Sequence, residues 1–238
     1  MSAWERGLGQ PPPQRALALL GVAWPDASTD ALAQLCIGQR DARLLDLRES
    51  SFGPRVVGLA DCPACQEQLE LDFDVADIRV APPAEDIDPS EPLSLCAAGY
   101  EVRFRLPTTL DVLTSVRPGD LVATRQSLLE RCLVSAQQED QPATPTALPT
   151  EVVELVEARM AEVDPQADIR LALTCPDCAH QWEVGFDITT FLWSELDAWA
   201  CRTLYDVHLL ASVYGWREAE VLALTPARRR FYLEAVNG

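Results

Sequence analysis

Two stretches far apart in the chain, Cys62-Pro63-Ala64-Cys65 and Cys175-Pro176-Asp177-Cys178, share a Cys-Pro-x-Cys signature. The residues after them also match. Gln66 to Asp74 reads QEQLELDFD and Ala179 to Asp187 reads AHQWEVGFD, so both segments run Cys-Pro-x-Cys-x-x-Gln-[Leu/Trp]-Glu-[Leu/Val]-x-Phe-Asp. This is an internal repeat. Each copy offers two thiolates at the spacing of a metal knuckle, and two half-sites complete one tetrahedron. The expected ligands are Cys62, Cys65, Cys175 and Cys178, around one structural zinc ion (Zn2+). More than a hundred residues separate the pairs, so such an ion would join two halves of a fold.

The segments flanking each pair alternate. Val56, Val57 and Leu59 lead into the first pair, and Leu69, Leu71, Phe73 and Val75 alternate with Glu70, Asp72 and Asp74 on the way out. Ile169, Leu171 and Leu173 enter the second pair, and Trp182, Val184, Phe186 and Ile188 leave it. Period two means strand, so each pair is expected at the tip of a β-hairpin. This context also weighs on the rival chemistry of the motif. Thiol-disulfide oxidoreductases place the first cysteine at a helix N-terminus, whose dipole lowers its pKa, whereas strands follow both motifs here. His180, two residues past Cys178, could replace a thiolate, but a fourth cysteine is present and His180 is a spare.

The rest of the chain reads mostly as helix. Gln10 to Pro13 reads as an extended leader, followed by an apolar helix from Gln14 to Ala23. A helix capped by Ser28 or Thr29 and another from Gln39 to Ser51 complete the N-terminal part, with Gly53-Pro54 as the stop. Ala81 to Pro92 reads as an acidic, proline-rich loop, and Leu93 to Leu106 as strand. Thr108 with Asp111 resembles a capping box, and a further helix is expected to reach about Ala136. Gln137 to Pro149 is polar and proline-bearing, a linker. Thr150 caps the next helix, to Val163. After the second hairpin, Leu192, Leu196, Trp199, Thr203, Val207, Leu210 and Tyr214 form one helical stripe that Gly215 closes. A short helix from Trp216 and a final one opened by Thr225-Pro226 end the chain.

The fold class is therefore α+β, with two Cys-Pro-x-Cys hairpins forming a zinc-ribbon-like centre between helical N- and C-terminal segments. The expected division is 1–136, a linker at 137–149, and 150–238, closed into one body by the shared metal. A net charge of −18 over 238 residues argues against nucleic acid as a partner. No uncharged apolar run approaches the roughly 18 residues that span a bilayer, so no membrane insertion is expected. Met1 to Gly7 lacks the basic and apolar pattern of a secretory signal, which points to a reducing, cytoplasmic setting for the eight cysteines. Cys36, Cys96, Cys132 and Cys201 stand singly among apolar residues and read as core. Asp72, Asp74, Asp86, Asp88 and Asp187 read as a solvated acidic face, and His208 as structural. No catalytic residues are assigned. Arg228-Arg229-Arg230 is the one basic cluster, and with Tyr214 and Trp216 it forms a candidate partner-docking set.

Several phrases together resemble a known family. They are Gly38 to Glu49 (GQRDARLLDLRE) with Phe52-Gly53, the first Cys-Pro-x-Cys, Phe104 to Thr108 (FRLPT), and the closing run from Val207 to Arg229. The set resembles baseplate-type proteins of contractile phage tails and bacterial contractile injection systems, including phage baseplate hub assembly proteins. The resemblance implies a non-enzymatic assembly or baseplate role, other baseplate or tail-like particle proteins as partners, and incorporation in a phage-tail-like particle as an alternative to a free cytoplasmic state. A zinc-binding adaptor or chaperone of another pathway and a thiol-disulfide oxidoreductase are the other readings.

Overall fold

Alternating side chains in Gln68–Asp74 and Arg55–Asp61 produce two strands whose one apolar face needs cover. The computed structural model, which describes residues 2–80, 91–139, 141–144 and 147–237, pairs them antiparallel as β1 (Arg55–Asp61) and β2 (Gln68–Asp74), with Val56 opposite Phe73 and Asp61 opposite Gln68. A second hairpin repeats the arrangement: β7 (Ile169–Thr174) and β8 (Gln181–Phe186) pair with Ile169 opposite Phe186 and Thr174 opposite Gln181. The cysteine pairs lie in the two connecting turns, as the alternation implies.

The repeat carries further than the hairpins. A helix precedes each one: α4 (Ile37–Phe52) before β1 and α7 (Thr150–Val163) before β7. The aspartate that ends each copy is an N-cap. Asp74 forms a reciprocal capping box with Asp77 over a 3-10 turn at Val75–Ile78, and Asp187 accepts from the Thr189 N–H at the start of α8 (Ile188–Tyr214). These two residues were expected only as part of a solvated face. Their caps turn the chain inward, so Val75 and Ile188 are both buried in one core with Leu20, Leu32, Leu44, Leu45, Val56, Leu192 and Trp193. That core also receives α2 (Pro12–Ala23) and α3 (Thr29–Ala33), the latter capped by Ser28.

A second core lies under a four-stranded antiparallel sheet of β3 (Leu93–Ala97), β4 (Tyr100–Phe104), β5 (Leu133–Gln138) and β6 (Gln141–Pro142), in that order. Val102, Phe104 and Ala136 pack there against Val152 and Val156 of α7. Before β5 come α5 (Thr109–Ser115), opened by the Thr108–Asp111 capping box, and α6 (Leu121–Cys132). Asp111 is buried and accepts from both Arg105 and Arg131. Burial would raise its carboxyl, but hydrogen bonds from Arg105 and Thr108 hold it well below the usual carboxylate range.

Several expectations are corrected here. The helix expected to reach Ala136 ends at Cys132, because Leu133 leaves helical geometry to pair with Phe104. Residues 137–142, within the stretch read as linker, contribute the end of β5 and all of β6, while 140, 145 and 146 lie outside the described residues. The single strand expected at 93–106 is a hairpin, because Ala98 and Gly99 both take positive φ, at 49° and 78°, a two-residue turn that matches strand twist. Pro12 and Pro13 open α2 instead of preceding it, a helix α1 (Ser2–Gly7) lies before them, and Pro149 is the cap where Thr150 was expected. Cys36 and Cys132 are buried, but Cys96 and Cys201 are exposed and are not core. The acidic loop, with Asp86 and Asp88, falls largely outside the described residues.

Polar links bind the first hairpin's surroundings to the second's. The Gly38 N–H donates to Asp164 at 2.9 Å, at a contact so close that a Cβ on residue 38 would meet the Asp164 carboxylate. Gln166 accepts from the Val80 N–H and donates to the Ile78 carbonyl. Arg48 of α4 is almost wholly buried; its guanidinium donates to both carboxylate oxygens of Glu195 in α8 at 3.0 and 2.8 Å, and to the carbonyls of Gly53 and Arg55. Truncating it strands a carboxylate and two carbonyls, so Arg48→Ala is expected to cost about 3 kcal/mol, near the low end for a broken buried pair because Glu195 keeps some solvent. Urea unfolding of the variant measures this, and a loss below about 1 kcal/mol would place the pair among ordinary surface bridges.

Candidate metal centre

Each cysteine turn is closed by the same two backbone hydrogen bonds. In the first, the Cys62 N–H donates to the Glu67 carbonyl and the Gln66 N–H to the Cys62 carbonyl, both at 2.8 Å. In the second, the Cys175 N–H donates to the His180 carbonyl at 2.9 Å and the Ala179 N–H to the Cys175 carbonyl at 3.0 Å. Gln66 and Ala179 occupy the left-handed region at φ 66° and 58°, which lets the chain reverse straight after the second cysteine. In both turns the first cysteine is buried and the second exposed.

The turns face one another. Phe73 and Phe186, equivalent positions of the repeat, meet edge to face with centroids 5.8 Å apart, and Phe186 in turn packs on Phe191 at 5.4 Å. At the tips, Cys62 Sγ lies 3.7 Å from Cys178 Sγ and Cys65 Sγ 3.5 Å from Cys175 Sγ, and all four sulfurs lie within 4.8 Å of one another. Those contacts cross between hairpins. A tetrahedron with metal–sulfur bonds of about 2.3 Å has edges of about 3.8 Å, so the separations suit four ligands of one ion. They are far longer than the ~2 Å of a disulfide, and all four are free cysteines. The structure thus brings the four sequence-predicted ligands together. His180 is not among them; its ring stacks on Trp182 at 5.9 Å.

The thiols do not titrate alike. Burial would raise Cys62, but the N–H groups of Cys65 and Ala64 and the thiols of Cys65 and Cys178 stabilise its thiolate and bring it down to about 7. For Cys65 the Glu67 N–H favours the thiolate, yet donation toward Cys178, burial and the other two thiols push it up to about 12. One thiolate supported by its protonated neighbours is the start of a ligand set, since the thiolate is the species that binds metal.

The candidate docking residues sit at the far end of α8. The structure stacks Tyr214 on Trp216, with centroids 4.8 Å apart, and sets Trp216 edge-on to Tyr232 at 4.9 Å. These aromatics thereby fasten α10 (Pro226–Asn237) to the end of α8, across α9 (Glu218–Leu222). Arg229 and Arg230 do not join them. They face a groove between α8 and α10 that Arg202 of α8 also lines, a residue the sequence reading passed over. Its signal was present in the helical spacing of Trp199, Arg202 and Asp206.

A mixed α/β protein with small antiparallel sheets and four cysteines gathered between two repeated hairpins is the class that fold and site define. Residues 25–193 match the family described as T4 bacteriophage base plate protein, and the chain belongs to that family. The match spans both hairpins and stops within α8, short of the closing run from Val207 to Arg229. No curated protein and no solved structure matches the chain.

The uneven thiols give a direct test. In chain purified in chelator and shown by circular dichroism to keep its fold, one thiolate is expected to develop as pH rises through about 7, because a lowered pKa favours the thiolate at neutral pH. Ultraviolet thiolate absorbance follows it, and Cys62→Ser removes the transition. A wild-type profile without a thiolate below about pH 8, like a free cysteine, would contradict the assignment.

Proposed function

We propose that this protein is a non-enzymatic component or assembly factor of a phage-type baseplate or related contractile injection particle, acting through contacts with other baseplate or tail proteins. The observation that carries the reading is the family match over residues 25–193, which includes all four candidate ligands. The proposed role of Cys62, Cys65, Cys175 and Cys178 is to hold one structural zinc as thiolates, giving a ribbon-like centre that closes the chain into one body. Support for this comes from sulfur separations near those of a four-thiolate tetrahedron and from two turns with matching backbone hydrogen bonds. A bound ion would add its binding energy to folding and lock two hairpins that are each marginal alone.

Thiol-disulfide exchange is disfavoured on geometry. Sulfurs of different turns approach to 3.7 and 3.5 Å, and each cysteine pair leads into a strand instead of a helix N-terminus. An adaptor or chaperone with the same zinc centre would share the fold but not the particle.

Deleting the gene from its native locus and imaging particles by negative-stain electron microscopy tests the assembly reading. Tails without baseplates, or no contractile particles, are the expected outcome, restored by the gene in trans. Normal, functional particles from the deletion strain would overturn it.

A further inference from the structure

The groove between α8 and α10 has an unusual charge for this molecule. Arg202, Arg229 and Arg230 converge on a space of about 730 Å3 with an apolar and aromatic lining that includes Trp199, Tyr205 and Leu233. All 19 basic residues of the chain are arginines, set against 37 carboxylates. Elsewhere several arginines are ion-paired, among them Arg55 with Asp72, Arg79 with Asp46 and Glu49, and Arg125 with Glu157, while others such as Arg15 and Arg43 lie over tryptophan rings. The three groove arginines pair with none among the described residues, although Asp206 lines the same groove, and the Arg229 Nε is buried without a hydrogen-bond partner.

We infer that this groove binds an acidic segment of a partner protein, an extended peptide that sets aspartate or glutamate carboxylates on Arg202, Arg229 and Arg230 and an apolar side chain on the floor between them. Arginine suits the task because its planar fork grips a carboxylate through two hydrogen bonds. The apolar lining of Trp199, Tyr205 and Leu233 favours a short peptide over a nucleic-acid backbone, because a peptide can set an apolar side chain on it between its carboxylates. The inference rests on the assembly reading for its setting and names the chemistry of one contact. The aromatic cluster of Tyr214, Trp216 and Tyr232 serves this surface indirectly, by fixing α10 against α8.

The test uses the purified full chain and a dye-labelled peptide of alternating glutamate and leucine, read by fluorescence anisotropy. Saturable binding is expected that weakens with salt, is absent for the glutamine counterpart, and falls roughly tenfold in Arg202→Gln/Arg230→Gln, both exposed positions. Asp206→Asn, which removes the groove's carboxylate, is expected to tighten binding, while Arg6→Gln on α1 leaves it unchanged. Equal binding of the glutamine peptide, no loss in the double variant, or tighter binding of oligothymidine than of the peptide would each overturn the inference. Because it is read on the isolated chain, its failure leaves the assembly reading intact. Normal particles after gene deletion would remove that reading without touching a positive peptide result.

Discussion

Four sulfurs from turns more than a hundred residues apart converge to within 4.8 Å, and the arrangement of the chain follows from that convergence. A two-stranded hairpin in water has too little buried surface to stand alone. Here each hairpin sets its apolar face against the other, Phe73 on Phe186, and sends the residue after its final aspartate into the same core. The repeat is therefore structural in a strict sense: two copies of one half-site, related position for position, each incomplete without the other. The family to which the chain belongs supplies the functional setting, and the shared core is what the structure shows joining the two hairpins.

The interlock does not depend on sulfur alone. Arg48 spans from α4 to α8, Asp164 holds the N-terminus of α4 through Gly38, and Gln166 ties down the chain leaving the first hairpin. These contacts lie on the core side of the hairpins, whereas the cysteines sit at the tips. Core packing and polar bridges thus set the base of the assembly, and the proposed ion pins its open end. Such a division leaves the far end of α8, with α9 and α10, free of any duty in closing the site. That region is where Arg202, Arg229 and Arg230 gather, with no ion pair among the described residues.

Much of this was legible in the sequence because it depends on local pattern. Alternation placed both hairpins, spacing singled out the four cysteines that the structure gathers, and Ser28, Thr108 and Gly215 marked helix ends that the structure retains. The misreadings have a common source. Leu133 to Gln138 lacks strong alternation and follows a helix without a glycine or proline break, so only its pairing with β4 makes it a strand. Ala98-Gly99 turns the chain in two residues inside what reads as continuous strand, and Ala at positive φ carries no sequence flag. Asp74 and Asp187 looked like outward strand residues; their capping role is set by the backbone beyond them. Arg48 with Glu195, and Arg202 with Arg229, are partnerships across 147 residues or across two helices that no local period encodes.

The central claim is that both cysteine pairs hold one ion together. Metal analysis of the purified full chain, paired with the Cys175→Ala variant, addresses it most directly. One zinc per chain in the wild type, lost from the variant although Cys62 and Cys65 are untouched, is the result the account requires, because a structural site needs all four ligands. A metal-free wild-type chain, two ions per chain, or a variant that keeps its ion would contradict it.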